Sequence, residues 1–312
     1  VIASGPRSQL GRLWEEVSSA FVIGTSEPVK VFRGIDVVHN VRDGNKRRSF
    51  FHMPHYIKDS CEKFEELHGV SLVRCETPCS HDLRREVIAP GFSNGPFLVV
   101  QKSLGTALWI ARTCRYDVSF AVSMLASRVA KWTPLCQAQL ERLFGYLKDT
   151  SSYGTVMIVY DGDKYSDGIL LAQSDSDFAI PKSQSAYHLS IKLPGRSLLP
   201  VGWSSTGQPI CADSTAAAEL IALHRLIKGA LGYGGLLPRL KTDVLHTEGD
   251  NAAMQSAVHK GFSKGLAAYA RAIGVRVGLI RDLLDRHVIT HDHVVTSRNR
   301  ANLGTKCLER LT

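Results

Sequence analysis

One stretch near the middle of the chain limits what it can fold into, because acidic side chains stand where the apolar pattern calls for a core. The apolar run 169–172 predicts a buried strand that leads directly into Ser174-Asp175-Ser176-Asp177. A helix then begins near Asp213 or Ser214, either of which can cap it. Glu219 shares one face of that helix with a series of apolar residues, Ala222, Leu223, Leu226, Ile227 and Ala230. A buried carboxylate is costly, so Glu219 is expected to be neutralised, paired or bound to a cation.

Four motifs follow one another in this region, at 174–179, 185–187, 201–209 and 214–223. Together they resemble the RNase H region of copia-type retrotransposon Pol polyproteins. No single motif is specific, but the order and near-matching spacing of all four are. The resemblance implies hydrolysis of the RNA strand of RNA–DNA hybrids.

The order of the predicted elements fits this resemblance. We expect an α/β fold, with an RNase H-like mixed-sheet domain preceded by a mostly helical α+β reverse-transcriptase remnant. The predicted strands are 155–160, 168–174, 185–193, 198–204, 243–249 and 287–295. The predicted helices of this part are 214–232, 251–259, 264–286 and 299–311.

The resemblance extends over nearly the whole length and suggests three segments. Residues 1–95 are similar to the palm edge and thumb of the family's reverse transcriptase, residues 96–152 to its connection helices, and residues 153–312 to its RNase H domain. Within the connection, Arg115-Tyr116-Asp117 stands where the family has Arg-Pro-Asp. Losing the proline removes an enforced helix break, so we expect a straighter junction there.

The polymerase carboxylates of the family would precede Val1, and the chain contains no Asp-Asp pair. Polymerisation needs such carboxylates to hold two metal ions. We therefore expect no polymerase activity from this chain, and a start at Val1 suggests a fragment of a longer polyprotein. The missing reverse-transcriptase palm is then a candidate partner.

The RNase H resemblance assigns roles to acidic residues, because this chemistry uses two Mg²⁺ ions held by Asp and Glu. Asp175 matches the family's first carboxylate, although Asp177 lies on the same strand face and competes with it. Glu219 matches the second. Asp250 matches the third, with a helix N-cap as the alternative role for an acid after a strand.

The fourth position departs from the family. An ungapped match of residues 294–302 places Asn302 where the catalytic carboxylate should be. An amide carries no charge and cannot act as a base, and Arg298 and Arg300 would oppose a second cation. Asp292 is the nearby acid, ten positions earlier. We expect a weakened second metal subsite and weak or lost activity; the alternative is a catalytically dead, element-derived nucleic-acid-binding or structural protein.

The charge balance favours an acidic partner, since 38 basic against 29 acidic residues give a net charge of +9. An RNA–DNA hybrid or another nucleic acid fits both the charge and the resemblance. The candidate phosphate contacts are basic residues on and before the predicted long helix, which could instead form only a solvated face of it. Trp203 could stack on a base or belong to the core. The basic candidates are Lys260, Lys264, Arg271 and Arg276.

The remaining features bound the cellular context. Seven scattered cysteines, an odd number, are typical of reduced thiols rather than a disulfide framework. No apolar run approaches the ~20 residues of a membrane span. We therefore expect an intracellular protein of the cytoplasm or nucleus with no membrane partner. His287, His291 and His293 allow a zinc site as a weaker alternative.

Overall fold

The computed structural model describes residues 7–25, 27–89, 91–95, 97–179, 182–234, 240–266 and 277–308. Residues 1–6, at the start of the segment similar to the palm edge and thumb, lie outside these ranges. The described strands form a single nine-stranded sheet in the order β1-β2-β3-β4-β7-β6-β5-β8-β9. Their bounds are Val31–Phe32 (β1), Ile35–Asp43 (β2), Lys46–His52 (β3), Gly154–Tyr160 (β4), Ile169–Asp177 (β5), Gln184–Lys192 (β6), Leu198–Gly207 (β7), Leu245–Gly249 (β8) and Ile289–His293 (β9).

Helices pack against the strands of this sheet, with Thr215–Gly234 on β5, β6 and β8 and Ser119–Ala126 on β7. The described α-helices are Arg7–Ala20 (α1), Pro54–His68 (α2), Asp82–Arg85 (α3), Leu98–Thr113 (α4), Ser119–Ala126 (α5), Pro134–Asp149 (α6), Thr215–Gly234 (α7), Ala252–Lys260 (α8) and Val277–Asp285 (α9). Short 3₁₀ turns occupy Tyr116–Val118, Tyr165–Asp167, Thr296–Arg298 and Arg300–Gly304. In the part of the chain that can be described, no helix has the length and apolar character that crossing a membrane requires.

The pairing of β5 to β9 is that of an RNase H-like mixed sheet. Strand β6 pairs antiparallel with both β5 and β7, whereas β8 pairs parallel with both β5 and β9. Parallel neighbours need a crossover connection, and α7 lies in the connection that leads from β7 to β8, where β8 pairs with β5. The predicted mixed α/β fold class is therefore confirmed.

Two hydrophobic clusters lie in the described part of the molecule. One packs α7, α8 and α9 on β5, where Leu170 and Ala172 face the helix stripe, and the other joins α2, α4, α5 and α6. Cys307, near the C-terminal end, belongs to the second cluster rather than to the first. Strand β3 pairs along its whole length with β4, so one sheet includes strands from both sides of the predicted segment boundary at residue 153. The division into three segments stays a prediction.

Three expected elements differ from the structure. Residues 264–266 form a turn, 267–276 lie outside the described ranges, and the helix that follows begins at Val277. In the segment expected to form the helix 299–311, Arg300–Gly304 is a 3₁₀ turn, because side-chain hydrogen bonds tie this segment to β5, and residues 309–311 lie outside the described ranges.

The junction between α4 and α5 also differs, since the chain still breaks after Thr113 without a proline. Arg115 is fully buried there. Its guanidinium donates to the Asp117 carboxylate at 2.7 Å and to the Thr150 carbonyl at 2.8 Å. These bonds hold the backbone in the bend that a proline at position 116 would impose.

Candidate metal centre

Three carboxylates from separate elements meet at one end of the sheet. Asp175 lies near the end of β5, Glu219 on the second turn of α7, and Asp250 directly after β8. One oxygen of each lies within 4.8 Å of the others. Strands β5 and β8 are parallel neighbours in register from Leu171–His246 to Gln173–Glu248, so their carboxyl ends reach the same edge. This register brings Asp175 and Asp250 together.

Glu219 is placed by its helix. Ser214 caps α7, since its hydroxyl accepts from the Ala217 N–H at 3.3 Å, and the predicted apolar stripe is buried. The Glu219 side chain is only 3% exposed. One carboxyl oxygen accepts a long hydrogen bond from the Ser176 N–H at 3.4 Å. The other is buried and has no hydrogen-bond partner among the described residues.

The structure separates the alternatives that the sequence left open. Asp177 is not a member of the cluster: it pairs with Arg84 at 2.7 Å and also accepts from the Gln184 N–H. Asp250 does not cap α8, because the Asn251 side chain accepts from the Met254 N–H at 2.8 Å. Asp175 and Asp250 are thus left to face Glu219.

Burial and mutual repulsion perturb these acids. Burial, then the charges of Asp175 and Asp250, raise the pKa of Glu219 to about 9. Burial raises the pKa of Asp175 to about 6, against a lowering by the Thr305 hydroxyl and by Lys306. A bound cation would favour the charged forms of both groups.

The chemistry of these donors fits a divalent cation of the Mg²⁺ type. Carboxylate oxygens are the ligands that Mg²⁺ prefers, and no thiol or imidazole belongs to the cluster. The unpartnered oxygen of Glu219 is a buried acceptor that a cation would satisfy. The residues that could hold the ion are therefore Asp175, Glu219 and Asp250.

Asn302 lies outside this group. Its amide donates to the Thr296 carbonyl at 2.6 Å, and its side-chain oxygen accepts from Lys306 at 2.9 Å. The Thr305 hydroxyl, and not the Asn302 side chain, contacts Asp175, to which it donates a hydrogen bond. Neither Thr305 nor Lys306 has a sequence signal of its own, because their placement depends on the bent path of the C-terminal segment.

The basic residues expected to repel a cation also lie elsewhere. Arg298 and Arg300 line a separate pocket with Gln173 and Glu248, and the cation that acts on the pKa of Asp175 is Lys306. Asp292, on β9, is exposed and does not join the cluster.

The candidate nucleic-acid residues are only partly described. Lys260 ends α8 and Lys264 lies in the following turn, both exposed, whereas Arg271 and Arg276 fall outside the described residues. Trp203, on β7, packs against α4, where its indole N–H donates to the Ala111 carbonyl at 2.7 Å. Its ring lies 5.7 Å from that of Tyr116.

The histidines of the C-terminal strand do not converge. His291 is buried and shares a hydrogen bond of 3.0 Å with the Thr247 hydroxyl. His287 lies in a turn before β9, and His293 lines the pocket of Arg298 and Arg300. Within the described ranges, the acidic cluster is the one group of three or more such side chains spaced to hold a metal.

Comparison with known proteins gives structural likeness alone. No protein-family model matches the chain, and no curated protein matches its sequence. RNase H1 from the archaeon Halobacterium salinarum matches with 17% identity over 44% of this chain and 94% of its own, with a TM-score of 0.31. An N-terminal RNase H domain from Mycobacterium tuberculosis was solved as a fusion with maltose-binding protein. It matches with 12% identity over 45% of this chain and 91% of its own, with a TM-score of 0.32.

A third match is LC11-RNase H1 in complex with an RNA/DNA hybrid, with 16% identity over 43% of this chain and 92% of that one, and a TM-score of 0.27. At scores this low, none of these likenesses carries an argument about function. The RNase H-like architecture is instead established by the chain's own strand order and pairing.

Proposed function

We propose that the chain hydrolyses the RNA strand of RNA–DNA hybrids in the presence of Mg²⁺, with low activity. The observation that carries the proposal is the convergence of Asp175, Glu219 and Asp250 within 4.8 Å at the end of two parallel strands and one helix. The resemblance of the surrounding motifs assigns this order of acids to RNase H chemistry. The proposed catalytic set is completed by Asn302, at the weakened fourth place.

Each acid has a separate task in this proposal. When bound, Mg²⁺ would polarise the scissile phosphate and promote deprotonation of water. Asp175 and Asp250 hold the charge that attracts the cation, and Glu219 must lose its proton for the site to be loaded. The Ser176 N–H orients the Glu219 carboxylate from the neighbouring strand. The Thr305 hydroxyl holds Asp175 in the same way.

The low activity follows from the fourth position. Asn302 contributes no charge, and its side chain is engaged by the Thr296 carbonyl and Lys306. With three carboxylates rather than four, the second metal subsite lacks a ligand, and a lysine lies near Asp175. Each change weakens cation binding.

The wider context belongs to the same proposal. By resemblance, the chain is the C-terminal part of a copia-type Pol, with a reverse-transcriptase palm as a candidate partner and no polymerase activity of its own. Lys260 and Lys264, with Arg271 and Arg276, are proposed phosphate contacts. Trp203 has its indole N–H bonded and its ring packed, which supports a packing role over base stacking. An intracellular location, in cytoplasm or nucleus, goes with this context.

A second candidate function is nucleic-acid binding without catalysis. The bonds that occupy Asn302, together with the charge of Lys306 beside Asp175, favour it. In that case the acidic cluster would be a remnant that persists because its acids are protonated or paired in the folded protein.

Cleavage of a labelled RNA–DNA hybrid in Mg²⁺ and in Mn²⁺ tests the proposal. We expect slow cutting that Asp175→Asn abolishes and that Asp292→Asn, a change of an exposed acid outside the cluster, leaves intact. Cutting by Asn302→Asp alone would favour the non-catalytic function for the native chain. Cutting that survives Asp175→Asn would show that the site is elsewhere.

A further inference from the structure

A second site lies on the sheet face that carries Gln173. We propose that the pocket bounded by Lys192, Arg196, Arg298 and Arg300 binds the phosphodiester backbone of a nucleic-acid strand. The choice of nucleic acid as ligand rests on the proposed function, but the pocket itself rests on the observations below.

The pocket has the size and lining of an anion site. Its volume is about 420 Å³, and its apolar lining residues are Leu171, Leu198, Val294 and Val295. The four basic side chains line the same pocket. The acid of the lining, Glu248, accepts a hydrogen bond from the Gln173 amide at 2.8 Å, and its charge raises the pKa of Arg300 against the lowering by burial. The balance of charge is therefore strongly positive.

The cations are free to take a ligand. Among the described residues, none of their four side chains makes a hydrogen bond or an ion pair, whereas other arginines of the surface do. Three of the four are arginines, whose planar forks match phosphate oxygens in pairs. Unpaired like charges gathered in one pocket repel each other, and an anionic ligand would relieve that repulsion.

Two buried amides hold one side of the rim. Gln173, 3% exposed, donates to the Arg298 carbonyl at 3.2 Å and accepts from the Arg300 N–H at 3.2 Å. Between these arginines, Asn299 is 4% exposed and donates to the Ser174 carbonyl at 2.8 Å. The backbone that carries both arginines is thus fixed to β5. Fixed positions reduce the entropy that binding must overcome.

The Asp163 carboxylate holds the turn that carries the remaining arginine of the pocket, Arg196. Arg196 lies in the turn between β6 and β7, and Asp163 accepts from the Gly195 N–H at 2.8 Å, the Ser197 N–H at 3.2 Å and the Ser197 hydroxyl at 2.5 Å. These bonds lower the pKa of Asp163, with the Ser197 hydroxyl as the largest cause. The turn is therefore closed at neutral pH, and Arg196 is held at the rim.

The position of the pocket points to a strand rather than a small anion. Gln173 and Asp175 lie on the same face of β5, two residues apart, which is about 7 Å along a strand. A backbone lying across the pocket would therefore reach the acidic cluster within a few nucleotides. An isolated phosphate would gain nothing from this continuity.

The test is the salt dependence of hybrid binding, measured by fluorescence anisotropy of a labelled RNA–DNA hybrid in EDTA, where no metal supports cleavage. For the double variant Arg298→Gln/Arg300→Gln we expect the slope of log K against log[KCl] to become shallower by about 1 to 2, since each lost phosphate contact accounts for ~0.9. Arg196→Gln, on a different element, should remove a further contact. The charge-matched control Lys58→Gln/Lys63→Gln, on exposed positions of α2, should keep the native slope.

An unchanged slope in both the double variant and Arg196→Gln would overturn the proposal, as would a native chain that does not bind the hybrid at low salt. Pyrophosphate is the second probe: saturation at micromolar pyrophosphate with no displacement of hybrid would assign the pocket to a small phosphate and also overturn it. Cleavage assays of the same variants in Mg²⁺ separate the two proposals. Cutting with an unchanged slope refutes the pocket alone, and a shallower slope without cutting refutes the nuclease alone.

Discussion

Glu219 is the residue whose environment departs furthest from that of an ordinary carboxylate. It is buried among apolar residues of α7, faces two other acids and leaves one oxygen without a partner in the described structure. Without a cation, the folded state therefore favours its protonated form. This preference links folding stability to pH, and the direction of the link can be measured.

We predict that the stability of the metal-free protein falls as pH rises from about 4.5 to about 9, the ordinary and raised pKa values of Glu219. Over this range the folded state keeps a proton that the unfolded state has lost, so unfolding becomes easier with rising pH. Glu219→Gln should remove this contribution. At pH 8 in EDTA it should raise the free energy of unfolding by roughly 1–3 kcal/mol, a discounted value for a coupled site.

Urea unfolding at pH 5 and pH 8 measures the effect. The control is Glu62→Gln on the exposed face of α2, which should change the free energy of unfolding by the same amount at pH 5 and at pH 8. A native chain with the same stability at both pH values would contradict the assignment of a raised pKa to Glu219.

Thr305 shows how one residue can partly replace another at the acidic cluster. Its hydroxyl donates a hydrogen bond to Asp175. The resemblance instead expects a carboxylate at position 302, where this chain has Asn302. A hydroxyl can hold Asp175 in position by a hydrogen bond, but it brings no negative charge. Position is thus retained while attraction for a cation is reduced, which is the residue-level reason for the low activity we propose.

At the scale of elements, sequence periodicity predicted the parts that are stabilised locally. The start of β5 and both ends of α7 were predicted to within two residues, because an apolar run and a capped apolar stripe define them without reference to distant residues. Strand β5 extends to Asp177, beyond the predicted end at residue 174. The three acids of the cluster were also predicted, because the order and spacing of the four motifs carry the resemblance that assigns them. Their convergence needed the parallel register of β5 and β8, which no single motif contains.

The C-terminal segment could not be predicted in the same way. Its apolar and polar residues fit a helix, yet Gln173 and Asn299 hold its backbone against β5 through bonds between residues about 125 positions apart. Tertiary hydrogen bonds of this kind override local preference. Thr305, Lys306 and the basic pocket depend on this path, so they were missed together.

Close packing of α6 against the segment after α2 gives a prediction about elements. A Cβ at Gly145 would overlap the Val73 carbonyl, whereas a Cβ at Gly105, mid-way along α4, would meet nothing within 4 Å. Gly145→Ala should therefore cost about 1–3 kcal/mol of stability through overpacking. Gly105→Ala should instead add about 0.5–1 kcal/mol by removing backbone freedom from the unfolded chain. Thermal and urea unfolding of both variants check this, and equal effects of the two changes would contradict it.

Two cysteines join the C-terminal segment to the helical part. The Sγ atoms of Cys79 and Cys307 lie 3.2 Å apart, and both thiols are buried. The hydrogen bond between them lowers the pKa of Cys307 and raises that of Cys79, which burial raises further. Cys307 is therefore the thiol that ionises first and reacts first with an oxidant.

We predict that hydrogen peroxide cross-links this pair. The Cys307 thiolate attacks peroxide to give a sulfenic acid and hydroxide, and the Cys79 thiol then displaces water to form the disulfide. Intact-mass measurement should show the loss of two hydrogen atoms, reversed by dithiothreitol and absent in Cys307→Ser. Cys211, which is exposed, should be alkylated before oxidation so that it does not react. Persistence of two free thiols at Cys79 and Cys307 would contradict the prediction.

At the scale of the whole molecule, the two hydrophobic clusters are joined by the sheet and by polar bonds that reach between them. Strands β3 and β4 pair over seven residues each. Across the same boundary, Tyr116 donates to the Ala301 carbonyl at 3.1 Å, and Ser123 accepts from the Gln184 amide at 2.7 Å. Arg84 neutralises Asp177 beside the acidic cluster. The helical part therefore supports the site even though it supplies none of its acids.

This dependence predicts the behaviour of a shortened chain. A fragment of residues 153–312 keeps all three acids but exposes one edge of β4, leaves the half-buried Asp177 without Arg84, and removes the hydrogen bond from Tyr116 to the Ala301 carbonyl. A buried carboxylate that loses its cation is destabilising by several kcal/mol, and an open strand edge favours aggregation. We therefore expect the fragment to melt well below the full chain, or to be insoluble, and to bind Mg²⁺ more weakly.

Differential scanning fluorimetry of both chains, with and without Mg²⁺, measures this directly. Asp177→Asn within the fragment is the matched control, since it removes the unpaired charge and should recover part of the lost stability. Co-expression with residues 1–152 should recover the rest, because it restores the β3–β4 pairing and the contacts of Tyr116 and Arg84. If the fragment instead melts cooperatively at the temperature of the full chain, the site depends on the RNase H-like part alone, and the helical part has no role in holding it.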